Sequence, residues 1–357
     1  MHNKTILFAV LDWGLGHATR SAVIIDELLA LEHKVVIASS GKALAYLQSR
    51  YPNEESLALS DYTLTYAKKS SNWKTHMLFQ AKPLFKQYQE DKIRLKAFLE
   101  KQAVDLIISD NRPSIVHPKI PSVYITHQLQ LPRGSGSSIA NFIHQKRYTK
   151  YQHIWVPDVA HQPNLSGYLG SLNNTKSPIH YLGLLSNYSP QSEKNEYQYT
   201  VILSGPEPQR SMLEVKLISI FPNLKGQKML VRGTFEPMLN TKDVDKNTKV
   251  INVATNSQLQ QLLASSACVI CRSGYTSLMD LVSAQKKAIL IPTPGQPEQE
   301  YLAQHMQQNN WFRVINQDAL TVTSLKNESQ QMLQPPVLEK FTKNVLRNLL
   351  DSLFSRL

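Results

Sequence analysis

The stretch from Cys268 to Ala303 constrains the fold more than any other part of the chain. An apolar run, Ala267 to Cys271, stops at Arg272, Ser273 and Gly274. A helical pattern follows, with Leu278, Leu281 and Val282 on one face and Asp280 beside them. A second apolar run, Ala288 to Ile291, ends at Pro292 and a Pro/Gly loop. A further helix then opens with Glu298, Gln299 and Glu300. Strand, glycine turn, helix, strand, loop and helix make a βαβα unit, the repeating element of a parallel sheet.

The chemistry of such a unit sits at its turns. A glycine after a strand lets the backbone turn sharply into a helix whose first N–H groups lack partners. Those donors and the positive end of the helix dipole suit a phosphate or diphosphate. Asp280 lies about two turns into that helix, where a carboxylate can accept from ribose hydroxyls. The loop after the next strand lies at the same carboxyl edge, so Gln299 and Glu300 are candidates for the same ligand. An ordinary crossover with a tight turn would leave the same pattern.

A second glycine turn stands near the N-terminus. The strand pattern Ile6 to Leu11 runs into Asp12, Trp13, Gly14, Leu15, Gly16, His17, Ala18, Thr19 and Arg20, followed by a helix through Leu28 and Leu29. Three roles are open to this turn. It can bind a dinucleotide, although the third glycine of that fingerprint is missing. His17 can pack or cap at the turn. Or His17 can act as a general base, because an imidazole titrates near neutral pH and this position lies at the sheet's carboxyl edge.

Further parallel-strand patterns, Leu106 to Asp110 and Val123 to Gln128, end in polar residues that would face a cleft. Asp110, Arg112, His127 and Gln128 join Asp12 and Arg20 as candidates for a ligand at this edge. The glycine-rich loop Pro132 to Ser138 lacks the ending of a phosphate-binding P-loop. A polar stretch, residues 186–199, reads as a linker, after which a new α/β series begins. Its first turn, at Gly205, can approach a diphosphate.

The two motifs resemble the GT-B glycosyltransferases of family 28, in particular the group that adds N-acetylglucosamine to the lipid-linked peptidoglycan precursor. Cys271 to Gly274, with an acidic residue six positions after the glycine, is similar to that group's donor motif, although Asp280 replaces the more usual Glu. The Gln299-Glu300 pair stands where the group has two glutamines that contact the donor sugar. Gly14, Gly16, His17 and Arg20 match the N-terminal motif of the same group. They also match that of the UDP-sugar hydrolase of pseudaminic acid synthesis, in which the histidine activates water.

The resemblance implies a GT-B fold: two Rossmann-like α/β domains facing each other across a cleft. The N-terminal, acceptor-side domain covers residues 1–185 and the linker 186–199. The donor domain covers 200–335, and residues 336–357 form a helix returning to the first domain. The implied reaction is inverting, metal-independent transfer of a sugar of the N-acetylhexosamine class from a UDP-sugar to a hydroxyl. His17 is the base, and Gly14, Gly16, Gly205, Arg272, Ser273, Gly274, Asp280, Gln299 and Glu300 hold the donor. Hydrolysis of the donor is the alternative. No cofactor is implied.

Composition narrows the partners. The 357 residues carry 39 Lys+Arg against 27 Asp+Glu, a formal charge of +12. That balance favours anionic partners such as nucleotide diphosphates or an acidic lipid surface. The basic and aromatic stretch at 68–88 suits the latter, and equally a solvated helix with one buried face. No nucleic-acid-binding signature is present. The two cysteines offer no disulfide framework and read as buried strand thiols. No stretch approaches the ~20 apolar residues of a membrane span, and the N-terminus enters a strand pattern at once. These features point to a cytoplasmic protein that acts on a glycan or lipid-linked acceptor, free or peripheral on the inner face of the plasma membrane.

Overall fold

The structure is a computed structural model, and it describes residues 3–61, 73–132, 138–172, 175–192, 194–237 and 244–355. The chain divides into two compact units. The first is built from the chain up to residue 61, from Thr75–Ser186 and from Glu339 onward, and the second from Asn187–Leu338.

In the first unit the elements run β1 (Thr5–Val10), α1 (Leu15–Ala30), β2 (Lys34–Ser39), α2 (Gly41–Arg50), β3 (Ser56–Ala58), α3 (Trp73–Leu99), β4 (Leu106–Asp110), β5 (Ser122–Ile125), α4 (Ser138–Gln145), β6 (His153–Val156) and β7 (Ile179–Tyr181). The described strands form one sheet in the order β3-β2-β1-β4-β5-β6-β7, and every pairing is parallel. Helices on both faces leave the central strands no exposed side. Their residues therefore read as continuous apolar runs rather than as alternating ones, and Ile6 to Val10 are fully buried.

The second unit repeats this plan with β8 (Tyr197–Ile202), α5 (Gln209–Ile220), β9 (Lys228–Val231), β10 (Thr248–Ile251), α6 (Asn256–Ser265), β11 (Ser266–Cys271), α7 (Tyr275–Ser283), β12 (Ala288–Leu290), α8 (Pro297–Gln308), β13 (Arg313–Val314) and α9 (Val322–Gln330). Its parallel sheet has the order β10-β9-β8-β11-β12-β13. Cys268 and Cys271 are free and buried on β11. Burial pushes both thiols up to about 12, so neither is a thiolate at neutral pH.

The chain then returns to the first unit. Leu184 N donates to Glu339 O at 2.9 Å and Phe341 N to Leu184 O at 3.1 Å. Gly183, at φ 80°, permits this approach, because a Cβ there would lie 2.8 Å from the backbone of Lys340. The last helix, α10 (Lys343–Phe354), buries Leu346, Leu350 and Leu353 along one stripe and packs on α1. Lys343 Nζ reaches Ala30 O at the C-terminal end of α1, where a cation is favoured. The sequence pattern places the start of this helix at Val337, whereas it begins six residues later, at Lys343. Its N-cap is Thr342, whose side chain accepts from Val345 N.

In both sheets the winding direction reverses once: between β1 and β4, and between β8 and β11. The crevice outside the carboxyl ends of such a strand pair is where doubly wound sheets bind ligands. His17 and Asp110 follow the first pair, and Gly205 and Arg272–Gly274 the second. The basic stretch at 68–88 falls outside the described residues through 72, as does the glycine loop at 133–137.

Candidate active site

Helix α1 carries a polar stripe, His17, Arg20 and Ser21, at i, i+3 and i+4. That spacing puts all three on one face, toward the end of β4. There the Asp110 carboxylate collects them. Arg20 Nε donates to Asp110 Oδ2 at 2.8 Å, Ser21 Oγ donates to the same oxygen at 2.9 Å, and Arg20 Nη2 donates to Oδ1. His17 Nδ1 lies 3.0 Å from Oδ1. Arg20 Nη1 lies 3.2 Å from Nδ1 of His127, just past β5. The structure thus brings five groups together, four of them expected; Ser21 was legible only from its helical spacing to His17.

This cluster fixes the chemistry of His17. Its Nδ1 lies near both Asp110 and Arg20 Nη2, and one nitrogen cannot donate to the first and accept from the second together. Asp110 already engages Arg20 Nη2, so the favoured tautomer has Nδ1–H donating to Asp110. Nε2 then keeps its lone pair. Burial and the neighbouring Arg20 push the imidazole below its ordinary value, against the pull of Asp110, and keep it neutral. Burial alone would raise Asp110, but Arg20 and His17 hold it well below the usual carboxylate range. A neutral imidazole oriented by an ionised carboxylate is a proton acceptor.

Two other acceptor-side candidates have structural partners. Asp12 Oδ1 accepts from Ala43 N at 3.0 Å and so caps α2 from a different loop. Arg112 is fully buried in an ion pair with Asp91 of α3, with Nε to Oδ2 at 2.9 Å. Its remaining donors reach Val10 O, Ser40 Oγ and Ser60 O. One guanidinium thereby ties together the carboxyl ends of β1, β2 and β3 from a position just past β4. Arg112 lies under the site as its brace, which corrects the expectation of an acceptor contact. The backbone of Gln128 bonds inward: its N–H donates to Thr126 Oγ1, and its carbonyl lies 2.8 Å from His144 Nε2.

In the second unit, α7 starts at Gly274. This N-cap has no side-chain cap, and the first turn has no acidic residue. A Cβ added at Gly274 would meet nothing within 4 Å. Helix α1 starts the same way at Gly14, which lies at φ 74° beside equally open space, with Gly16 in its first turn. By contrast, α6, α9 and α10 are capped by threonine side chains. Two of the uncapped starts thus stand at the two carboxyl-edge crevices.

Arg272 is buried, and burial lowers its guanidinium to about 10. Nη1 donates to Ile291 O and Pro292 O, and Nη2 to Gln209 O. It binds the β12 loop to the start of α5. Its Nε is buried without a partner, as is Thr293 Oγ1 on the same loop. Gly205, at φ 101°, faces that hydroxyl: a Cβ there would lie 4.0 Å from Thr293 Oγ1. Ser273 Oγ donates to Gln299 O at 2.8 Å.

Gln299 and Glu300 shape the loop. Gln299 Oε1 accepts from Thr293 N at 3.0 Å, and Glu300 Oε1 accepts from Gly295 N at 2.8 Å. Asp280 lies half-buried on α7. A residue that sequence reasoning missed is Arg232, at the end of β9. It pairs with buried Glu214 and donates to Asn252 Oδ1 and Pro237 O, fixing two loops at the same edge.

Two doubly wound α/β units with polar loops at their strand switch points define a GT-B fold. Residues 230–349 match the glycosyltransferase family 28 C-terminal domain, and residues 4–147 match glycosyl transferase family 1. The chain has a GT-B fold, and residues 230–349 are similar to the family 28 C-terminal domain.

Its relatives are more specific. Over 107 residues the chain is 31% identical to the UDP-N-acetylglucosamine--N-acetylmuramyl-(pentapeptide) pyrophosphoryl-undecaprenol N-acetylglucosamine transferase of Thermoanaerobacter sp. (strain X514). That match spans 29% of this chain and 29% of the relative. Among solved structures, the Acinetobacter baumannii MurG covers 99% of this chain and 95% of its own, with a TM-score of 0.58 and 10% identity. The glycotransferase of kitacinnamycin covers 93% and 91%, with a TM-score of 0.66 and 14% identity.

Proposed function

We propose that the protein transfers a sugar of the N-acetylhexosamine class from a UDP-sugar to a hydroxyl acceptor with inversion. The observation that carries this reading is the His17–Asp110 pair: a neutral imidazole, its tautomer set by a buried carboxylate, at a strand switch point. His17 Nε2 takes the acceptor hydroxyl proton as the oxygen attacks the anomeric carbon. The bond from that carbon to the diphosphate oxygen breaks on the opposite face, and UDP leaves. The open start of α7, with the buried, unpartnered Arg272 Nε close behind it in sequence, supports a diphosphate there.

Asp280 holds the ribose, and Gln299 and Glu300 set the loop that meets the sugar. The helix dipole and Arg272 stabilise the leaving charge, so the reaction needs no added divalent ion. The N-acetylglucosamine in the relative's name supports the donor class. A peptidoglycan-like, lipid-linked glycan is the acceptor class that the same relative suggests.

Mass spectrometry of products formed from a panel of UDP-sugars and a membrane extract tests the reading. A mass increase of one N-acetylhexosamine on an acceptor, unchanged by EDTA, is expected. Free sugar and UDP alone would replace transfer with hydrolysis. Intact donors throughout would remove both.

A further inference from the structure

The chain carries four tryptophans, at positions 13, 73, 155 and 311. Trp155 is fully buried and Trp311 nearly so, as suits so large an apolar ring. Trp13 departs from this among the described side chains: 39% of it stays exposed. Among the described residues no hydrogen bond or ring contact engages its indole.

Trp13 stands between the end of β1 and the start of α1, at the strand switch point that also carries His17. Both flanks of this loop are tied down. Leu11 N donates to Asp110 O at 3.1 Å, and Asp12 Oδ1 accepts from Ala43 N at 3.0 Å. On the far side Arg20 Nε pins α1 to Asp110 Oδ2 at 2.8 Å. A fixed backbone therefore presents the indole, and a ligand that meets it has little of the loop left to order.

Exposure continues along the chain from Trp13 to the base. Gly14 is exposed, and Leu15, Gly16 and His17 are half-buried. A Cβ on Gly14 would meet nothing within 4 Å, so the surface linking the two residues is open at that point. Trp13 and His17 are four residues apart, at most ~14 Å between their Cα atoms. One saccharide can meet both.

We infer that Trp13 is the platform on which a sugar ring of the acceptor stacks, and that it selects acceptors by that ring. A pyranose with equatorial hydroxyls turns a face of axial C–H bonds outward. Those hydrogens carry partial positive charge and meet the negative face of the indole, and both apolar surfaces leave water. The hydroxyls stay at the rim of the ring. Position chooses the occupant: the reacting hydroxyl has to stand at His17, so the ring that bears it, or the next one, lies beside Trp13. The uracil of the donor is the competing flat group, but its diphosphate is assigned to the start of α7, in the other unit. Calling the ring the acceptor's rests on the transferase reading; stacking of a sugar on Trp13 does not.

Fluorine NMR of protein labelled with 5-fluorotryptophan tests the platform, with the Trp13 resonance identified by its loss in Trp13→Phe. The probes are methyl β-glycosides of glucose, galactose and N-acetylglucosamine, and UDP is titrated separately in the same spectrum and by calorimetry. At least one glycoside should shift the Trp13 resonance and leave that of buried Trp155 in place. Its saturation-transfer signal should fall about fivefold or more in Trp13→Ala and only about twofold in Trp13→Phe, which keeps a smaller aromatic face. The melting temperature and UDP affinity should not change in either variant. A Trp13 resonance unmoved by every glycoside overturns the inference. So does a sugar signal that survives Trp13→Ala, or one lost as fully in Trp13→Phe, and a resonance moved by UDP alone gives the indole to the uracil instead. Glycoside binding at Trp13 without any UDP binding would uphold the platform and sink the transferase reading.

Discussion

Asp110 Oδ1 lies 3.0 Å from Nδ1 of His17, and that contact decides which nitrogen of the imidazole can accept a proton. Replacing Asp110 with Asn keeps the shape but offers an amide that can present its N–H to Nδ1 and so favour the wrong tautomer. His17→Ala removes the base outright, a loss of ~10²–10⁴-fold in kcat. Asp110→Asn should fall in the same range, with UDP affinity within a few-fold of wild type in both. Near-normal turnover of His17→Ala would make His17 a packing residue.

The pH profile follows from the same cluster. His17 is pushed below its ordinary value of 6.5 by burial first and by Arg20 second. The reactive form is neutral, so kcat should hold as pH falls through 6.5 and decline only lower, where the folded-state imidazole protonates. Arg20→Gln removes the opposing cation and leaves Asp110 to favour imidazolium. The acid limb should therefore move to higher pH. An unmoved limb would separate His17 from the pH dependence.

Much of this site was legible because parallel strands bury both faces. Runs such as Ile6 to Val10 and Leu106 to Ile108 announce strands, and the polar residue after each run marks the carboxyl edge. What the sequence hides is direction and partner. Arg112 stands one residue past Asn111, at a position where an exposed site residue would also stand. Only its hydrogen bonds and burial show that it faces inward, to Asp91. Gln299 and Glu300 meet backbone N–H groups of Thr293 and Gly295, donors that carry no side-chain signature. The three residues of β3 are too few for a pattern to register.

The Arg112–Asp91 pair makes a stability prediction. Both groups are fully buried, and removing one leaves the other an uncompensated charge. Arg112→Ala should cost about 3–5 kcal/mol by denaturant unfolding. The double change Arg112→Met/Asp91→Leu should cost less than the single one, because no lone charge remains. A single change within about 0.5 kcal/mol of wild type would remove the brace.

Two glycines should behave in opposite ways. Gly274 has an ordinary φ of −70° and open space where a Cβ would go, so Gly274→Ala should leave the melting temperature unchanged. If the diphosphate occupies that space, the same change should weaken UDP binding at least fivefold by calorimetry, and Asp280→Ala should do so several-fold. Gly183→Ala, at φ 80° against backbone 2.8 Å away, should instead destabilise by about 2 kcal/mol or more and spare UDP affinity in the surviving folded protein. Unchanged UDP affinity in both Gly274→Ala and Asp280→Ala would move the donor away from α7.

Membrane contact is the last expectation, and α4 gives it a place to be tested. Phe142 and Ile143 are 57% and 58% exposed on adjacent positions of that helix, and Lys146 Nζ sits 4.6 Å over the Phe142 ring. Arg147 and Lys150 follow at exposed positions. Apolar side chains beside cations suit an anionic lipid surface, the apolar groups entering the headgroup region while each basic residue adds about 1 kcal/mol. No described helix is long and apolar enough to cross a membrane, so contact of this kind would be peripheral. Co-sedimentation with phosphatidylglycerol vesicles should exceed that with phosphatidylcholine and weaken as salt screens the charges. Phe142→Ser/Ile143→Ser should reduce it at any salt, and Lys146→Gln/Lys150→Gln chiefly at low salt. Equal binding to both vesicle types, or none to either, would remove the lipid surface and leave a soluble acceptor.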